Sequence, residues 1–302
     1  MKISFANPKK QAARAVGKAL ALGKSRHDSR NDSQIHSLGT ARNYEQSLKL
    51  ASEWDKINSG MGLINFDSNR AMQYLQIRAQ VVGQKTLDMD RQALQILPGV
   101  NKLDRVFSII SKKGLADQGR AYTTVQVSAI ARAQSVHNSL ATKTAYSAGL
   151  RAHELYTLLP TTERGPSQHR QFSMDLFTGR KNFMRYTVCG KGGLIREVAI
   201  PKEISDKLDA CRFNEPRIVL DRGIRYEQHY DLGGGQAWSS SFGRASKRVL
   251  GWSTGAHGLR HGYTQERMNE LQGQGYFYDQ AKEIVSQELG HFRPDITEVY
   301  LR

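Results

Sequence analysis

The sequence predicts a mainly helical protein of the α+β class that is built from two domains. The chain has 302 residues, about twice the usual length of one domain. Apolar residues recur at helical spacing through most of the chain, whereas the alternating pattern typical of strands is confined to a stretch after Pro160. Hydrophobic residues make up 39% and charged residues 24%, which is ordinary for a globular protein that forms its own core.

The chain is strongly basic. Its 44 lysines and arginines outnumber its 28 aspartates and glutamates, for a net charge of +16. Such an excess favours a polyanionic partner. No apolar run approaches the roughly 18 residues of a membrane-spanning helix, and the N-terminus lacks the apolar segment of a signal peptide. Cys189 and Cys211 form no metal-binding pattern and fit a reduced, cytoplasmic protein.

Residues 1–38 are predicted to be a basic arm or linker ahead of the first domain. This stretch is rich in lysine, arginine and small residues, and Lys9–Leu22 can form a short helix. Two interpretations remain open. The stretch is either an arm that lies along nucleic-acid phosphates or a solvated, partly disordered tail.

Residues 39–115 are predicted to form a small helical domain. Thr40 is the candidate N-cap of its first helix, and Gly83 is a candidate stop for its second. Helices are expected over residues 41–57, 69–82, 86–97 and 103–112. Nothing in this domain carries a catalytic pattern.

Residues 119–302 are predicted to form a second domain that combines helices with a small β-sheet. Strands are expected at Gln171–Phe177, Phe183–Val188 and Leu194–Ile200, and the last two form a hairpin around a glycine-rich turn. Glu227–Trp238 is expected to be a loop because of its composition. Helices are expected over residues 125–138, 203–212, 239–249 and 281–290, and from residue 256 onward.

The end of the second domain holds residues that suit attack on a phosphodiester. His257 and Arg260 stand at His-x-x-Arg spacing, which places both side chains on one face of a helix. His291 follows a helix break at Gly290, and Tyr300 comes nine residues later. An arginine neutralises phosphate oxygens, histidines move protons or donate hydrogen bonds, and a tyrosine can act as the nucleophile.

Two other pairs are less informative by themselves. Arg151 stands three residues before Glu154 at an expected helix start, and this spacing alone favours an ordinary surface ion pair. His257 and His261 stand four residues apart, as in some zinc sites. The zinc-protease pattern requires a glutamate where Gly258 stands, so a metal site is not favoured.

Lys191 lies at the tip of the predicted hairpin, within Cys-Gly-Lys-Gly-Gly. A lysine at this place can swing into a neighbouring site, and a solvated turn residue is the alternative. The glycines do not form a nucleotide-binding loop, because Gly192 follows the lysine where the Walker pattern requires serine or threonine.

Taken in order, these segments resemble the tyrosine recombinases, also called phage integrases. That family has an arginine in a Gly-Leu-Arg-x-x-Glu-Leu segment, a lysine on a β-hairpin, a His-x-x-Arg, a Leu-Gly-His and a tyrosine about nine residues further on. The corresponding segments here are Gly149–Leu155, Lys191, His257–Arg260, Leu289–His291 and Tyr300. The resemblance covers residues 120–302, and the first domain matches only in its helical character.

The resemblance implies a fold and a reaction. The first domain would be a helical core-binding domain of the SAM-like type, and the two domains together would form a C-shaped clamp on DNA. Tyr300 would attack the scissile phosphate, form a 3′-phosphotyrosyl bond and release a 5′-hydroxyl. No cofactor or metal is implied, because guanidinium and ammonium groups neutralise the phosphate. ATP is not needed either, because the covalent bond conserves the energy of the phosphodiester.

The resemblance also assigns roles to individual side chains. Arg151 and Arg260 would bind the non-bridging oxygens, and Lys191 would protonate the departing 5′-oxygen. His257 would be the acid or base for the tyrosine hydroxyl, and His291 would donate a hydrogen bond to the phosphate. The implied catalytic residues are Arg151, Lys191, His257, Arg260, His291 and Tyr300, with Glu154 and His261 in supporting positions.

The implied partner is double-stranded DNA with inverted-repeat core sites. The protein would form a dimer on one site and a tetramer in the synapse, near the nucleoid and without a membrane partner. An accessory DNA-bending or directionality factor is compatible with this scheme, as is integration or excision of a mobile element. Two alternatives remain open, namely a type IB topoisomerase-like relaxing enzyme and a catalytically inactive DNA-binding accessory protein.

Two features depart from the family pattern. The chain ends two residues after Tyr300, where many members carry a further helix that packs on a neighbouring protomer, so the usual exchange of C-terminal tails is not expected. The segment Thr161–Arg170 is also long for the loop after the Arg151 segment.

Overall fold

The structure is a computed structural model that describes residues 7–22, 34–59, 61–100, 109–112, 119–190 and 192–301. The chain divides into two compact units, residues 1–116 and 117–302. Each unit has its own hydrophobic core. Within the described ranges, none of the helices has the length and apolar character needed to cross a membrane.

The first unit is helical. Three of its four described helices begin at a capping side chain that accepts a backbone N–H group, namely Asn7 for α1, Ser37 for α2 and Asp67 for α3. The predicted cap Thr40 lies inside α2, because the helix begins earlier than the apolar pattern suggests. The described helices are α1 Pro8–Ala19, α2 Leu38–Asn58, α3 Ser68–Val81 and α4 Gln84–Leu94. The predicted helix over residues 103–112 lies mostly outside the described residues.

Helix α1 belongs to the core of the first unit. Ala12 and Val16 are buried in that core. Gln11 accepts hydrogen bonds from the Ser52 hydroxyl at 2.9 Å and from the Leu63 N–H at 2.7 Å. The prediction of a separate arm or tail is therefore wrong for residues 8–19, because the apolar face of this helix completes the core against α2.

The second unit is a mixed helical and β structure, so the predicted α+β class is confirmed. Strands β1–β3 form one antiparallel sheet in that order, and β4 pairs with β5. The strands are β1 Leu159–Pro160, β2 Phe183–Cys189, β3 Ile195–Pro201, β4 Arg212–Asp221 and β5 Ile224–Tyr230. The helices are α5 Thr124–Arg132, α6 Val136–Ser147, α7 Lys202–Ala210, α8 Gly235–Leu250, α9 Gly258–Gly273, α10 Tyr278–Glu288 and α11 Pro294–Thr297. Two 3₁₀ helices cover Glu154–Thr157 and Glu298–Tyr300.

The structure confirms two of the predicted strands and corrects one predicted strand and one predicted loop. Strands β2 and β3 form the predicted hairpin, whereas the tip residue Lys191 lies outside the described residues. The segment Gln171–Phe177 forms turns, because its backbone bonds to side chains of α10 and Phe177 has a positive φ of 62°. Residues 227–230, predicted to be loop, belong to β5, whose mixed polar composition reflects a largely exposed strand pair.

A sharp turn brings the Arg151 segment against α9. Helix α6 ends at Ser147, and Gly149 has a φ of 59°. A Cβ atom there would lie 2.6 Å from the Tyr263 ring, so only glycine fits. The prediction that Arg151 begins a helix is wrong, because this turn follows α6 and the next 3₁₀ helix begins at Glu154.

Candidate active site

Arg151 is fixed by the carboxylate of Glu154. Its Nη1 donates to Oε1 at 2.7 Å, and its backbone N–H donates to Oε2 at 2.8 Å. Glu154 is 0% exposed, so the pair is not the ordinary surface contact that its spacing suggested. Because the carboxylate is buried, this charge-assisted contact restricts the orientation of the Arg151 guanidinium much more than a surface pair would.

Arg196, on β3, makes a further bond to the same carboxylate. Its Nη2 donates to Glu154 Oε2 at 2.8 Å, and it is 1% exposed. Burial acts to raise the pKa of Glu154, but Arg196, Arg151 and Arg260 outweigh it and hold that pKa at about 2. Arg196 was not predicted from the sequence. The available signal was an arginine on the inward face of a strand, in line with Val198.

His291 lies between two arginines. Its Nε2 is 3.1 Å from Nη2 of Arg151 and 3.1 Å from Nη2 of Arg260. Guanidinium groups only donate, so Nε2 accepts and the neutral ring carries its proton on Nδ1. Burial, Arg260 and Arg151 lower the pKa of His291 to about 3. Gly290, with a φ of 73°, makes the turn after α10 that presents this ring.

Arg260 is buried near the start of α9. Its Nη1 donates to the carbonyl oxygen of Gly149, and its Nη2 donates to that of Leu289. Burial and Arg151 lower the pKa of Arg260, but an arginine keeps its charge under ordinary conditions. The guanidinium therefore connects the turn before Arg151 with the turn before His291.

Tyr300 packs among three histidine rings and Arg260. Its ring centroid lies 5.5 Å from that of His257, 4.7 Å from that of His261 and 5.4 Å from that of His291. The Cζ of Arg260 lies 5.6 Å from the same centroid. The tyrosine is 8% exposed, so the phenol lies inside the cluster formed by these residues of its own chain.

His257 and His261 also pack against the ring of Tyr300. His257 is exposed at the start of α9, and its ring centroid is 5.7 Å from that of His261, which is buried. Partial desolvation, Arg260 and His261 lower the pKa of His257 to about 4. Burial and Arg120 lower the pKa of His261 to about 4. Both rings are therefore neutral near pH 7 and able to accept a proton.

The hairpin tip approaches Arg151 and Glu154. A Cβ atom on Gly190 would lie 3.4 Å from Glu154 Oε1 and 3.8 Å from Arg151 Nη1. Lys191 follows Gly190 directly but lies outside the described residues, so its participation stays a prediction. The structure brings the other predicted site residues into one cluster: Arg151, Glu154, His257, Arg260, His261, His291 and Tyr300.

Solved structures share the fold of this chain. No protein-family model and no curated protein sequence matches it. The chain is similar to the XerH site-specific recombinase bound to palindromic difH substrate, with 14% identity over 99% of this chain and 94% of that chain and a TM-score of 0.54. A lambda integrase dimer bound to a COC′ core site shows 16% identity over 91% of each chain and a TM-score of 0.54.

A third structure extends this set. The Tn1549 transposon integrase in complex with a circular intermediate DNA shows 12% identity, coverage of 98% of this chain and 95% of that chain, and a TM-score of 0.51. At these identities the likeness concerns the fold. The chain therefore has the fold of the tyrosine recombinases.

Proposed function

We propose that this protein is a site-specific tyrosine recombinase that cleaves and rejoins double-stranded DNA through a 3′-phosphotyrosyl intermediate on Tyr300. The observation that carries the proposal is the convergence of Arg151, Arg260 and His291 beside that phenol. The net charge of +16 and the recombinase fold support it.

The scissile phosphate would bind to donors that are already in place. Nη2 of Arg151 and Nη2 of Arg260 both approach the His291 Nε2 atom. A charged phosphate oxygen is a stronger acceptor than an imidazole nitrogen, so it would take over these hydrogen bonds. The negative charge would also favour protonation of His291, which would then donate to the phosphate. Such fixed donors stabilise a transition state without reorganisation.

Cleavage then requires two proton transfers. The Tyr300 hydroxyl would give its proton to neutral His257, and its oxygen would form a bond to phosphorus. The bond from phosphorus to the 5′-oxygen would break, and Lys191 would protonate that oxygen. The reverse steps reseal the strand, so His257 and Lys191 recover their original protonation states.

The compared structures also suggest a setting for this chemistry. One is an integrase dimer on a core site and another is a transposon integrase. We accordingly propose that this protein acts as a dimer on an inverted-repeat site, as a tetramer in the synapse, and in integration or excision of a mobile element. An accessory directionality factor and a location near the nucleoid are consistent with that role.

A covalent-trapping experiment tests the proposal. The protein is incubated in EDTA with fragmented DNA from its source and denatured, and the attached DNA is sequenced. Tyr300→Phe is the test variant, and Tyr276→Phe, which removes a phenol hydroxyl bonded to Asp175, is the matched control. We expect adducts with wild type and Tyr276→Phe, clustered at one inverted repeat, and none with Tyr300→Phe.

Other outcomes identify the alternatives. Adducts scattered without sequence preference would favour a topoisomerase-like relaxing enzyme. Tight DNA binding without any adduct would favour an inactive accessory protein. Equal adduct formation by Tyr300→Phe would contradict the assignment of the nucleophile.

A further inference from the structure

We infer that Arg196 is a positioning residue for the phosphate-binding arginines, acting through Glu154 and through the turn that carries His291. This inference rests on the proposed function and adds a residue that the family motifs did not identify. Its basis is the contacts of one buried side chain with both halves of the site.

The first contact fixes the Glu154 carboxylate. Oε2 of that carboxylate accepts from Arg196 Nη2 and from the Arg151 backbone N–H, each at 2.8 Å, while Oε1 accepts from Arg151 Nη1 at 2.7 Å. Hydrogen bonds from two arginines thus define the plane of the carboxylate. Without Arg196 the carboxylate loses one of these restraints, and the orientation of the Arg151 fork becomes less well defined.

The second contact supports the turn before His291. A Cβ atom on Gly290 would lie 2.7 Å from Cδ and 3.0 Å from Nε of Arg196. The arginine stem therefore packs directly against the turn that ends α10. A shorter side chain at position 196 would leave a gap there, and His291 is the next residue along the chain. Its placement between the two other arginines depends on that turn.

The charge of Arg196 also acts on the site. It is the strongest of the neighbours that lower the pKa of Glu154, and it contributes with Arg260 and Arg151 to lowering the pKa of His291. The Nε and Nη1 atoms of Arg196 are buried and have no hydrogen-bond partner among the described residues. Unpaired buried donors are unfavourable, so this arginine is not arranged for stability alone.

A second buried arginine in the same unit shows the contrast. Arg267 donates from Nε and Nη2 to Glu288, from Nη1 to Glu270 and from Nη2 to the Thr178 carbonyl. Its donors are paired, and it joins α9 to α10 and to the loop before β2. It contacts none of the predicted catalytic residues in these bonds. Arg267→Lys is therefore a matched control for loss of a buried arginine fork.

The test measures the single-turnover rate of adduct formation on the DNA recovered by trapping. We expect Arg196→Met to be about 100-fold slower and Arg196→Lys about tenfold slower, with DNA affinity close to that of wild type. Arg267→Lys should lose thermal stability but keep a rate close to that of wild type. A rate unchanged in Arg196→Lys would overturn the inference, and this variant decides the matter if Arg196→Met does not fold.

A pH profile separates positioning from a merely structural role. Loss of Arg196 removes a charge that lowers the pKa of Glu154, so burial raises that pKa and the carboxyl is protonated at higher pH. Among the residues that the structure describes, the charged and titratable groups that face Glu154 are Arg151, Arg196, Arg260, His153 and His291. The rate of Arg196→Met relative to wild type should therefore fall as the pH is lowered. A relative rate that is the same at every pH would contradict the inference.

A double variant tests the route through Glu154. Because Arg196 is inferred to act through Glu154 and also through the turn at Gly290, Glu154→Gln/Arg196→Met should be slower than either single variant but less slow than the product of the two single effects. Fully multiplied effects would show that Arg196 does not act through Glu154 and would contradict the inference. Failure of the proposed function can be told apart from failure of this inference. If the proposed function is wrong, wild type forms no adduct, or Tyr300→Phe forms it equally well. With the adduct on Tyr300 established, unaffected Arg196 variants would refute this inference alone.

Discussion

Replacement of Glu154 by glutamine would show how strongly the buried carboxylate holds the arginine cluster. The carboxylate accepts hydrogen bonds from the backbone and Nη1 of Arg151 and from Nη2 of Arg196. A glutamine has nearly the same shape but no charge, and it places a donor against arginine donors. The change therefore leaves the buried guanidinium of Arg196 and the partly exposed guanidinium of Arg151 without their shared counter-charge.

The size of the effect follows from the electrostatics of the site. Burial opposes ionisation of Glu154, but the nearby arginines hold its pKa at about 2, against an ordinary value of 4.5. Such a difference corresponds to roughly 3 kcal/mol in favour of the folded state. Removing one partner of a buried ion pair typically costs about 3–5 kcal/mol. We expect Glu154→Gln to lower the free energy of unfolding of the second unit by about 3 kcal/mol.

The same linkage predicts the pH dependence. The folded-state pKa of Glu154 lies below its ordinary value, so the stabilisation is fully present above a pH of 4.5 and is lost as the pH falls towards 2. The difference in stability between wild type and Glu154→Gln should therefore be constant near neutral pH. It should shrink in acid, within the range where the protein remains folded.

Urea unfolding followed by tryptophan fluorescence would measure this difference. A Trp54→Phe background leaves Trp238 and Trp252, which both lie in the second unit. Asp206→Asn is the matched control, because that side chain is 55% exposed and its ion-pair partner Lys202 is 50% exposed, both on the surface of α7. We expect the control to lose less than about 1 kcal/mol. A loss for Glu154→Gln no larger than that of the control would refute the reasoning.

Three further predictions concern the site and the turn beside it. Arg260→Lys loses the guanidinium fork that donates to the carbonyls of Gly149 and Leu289. We expect adduct formation to slow by at least about 100-fold, while DNA binding measured by fluorescence anisotropy is retained. An unchanged rate of adduct formation would contradict this prediction. The rate of wild-type cleavage should rise with pH around 4, the pKa of His257. His257→Gln should cleave more slowly, and its rate should not show this rise. The same rise in the variant would point to another base. Gly149→Ala places a Cβ at a φ of 59° and 2.6 Å from the Tyr263 ring, so we expect a loss of about 1–3 kcal/mol in urea unfolding, and no loss would show that the turn can rearrange.

The sequence predicted features that depend on local spacing. The hairpin of β2 and β3 is one such feature, because it forms within a single strand pair. The end of α10 just before His291 is another, because it depends on the residues of one helix end. The sequence could not predict the Arg196 contact with Glu154, since it joins residues 42 positions apart. This contact depends on how β3 packs against the 3₁₀ helix Glu154–Thr157.

Packing also explains the wrong predictions. Helix α1 was predicted to be a basic arm or tail because basic residues recur throughout its sequence. Only a few residues, including Ala12 and Val16, form its buried face. The start assigned to Arg151 ignored the turn at Gly149, which the close approach of Tyr263 requires. Residues 227–230 were predicted to be loop because they lack an alternating apolar pattern. They form a strand because they pair with β4 through backbone hydrogen bonds.

Mapping the DNA attachment site on the protein tests the central claim most directly. Trapped adducts would be digested with nuclease and protease, and the nucleotide-linked peptide would be identified by mass spectrometry. The proposed mechanism predicts a 3′-phosphonucleotide on Tyr300 in wild type and no linked peptide in Tyr300→Phe. A nucleotide attached to a different residue, or an equal yield from the variant, would contradict it.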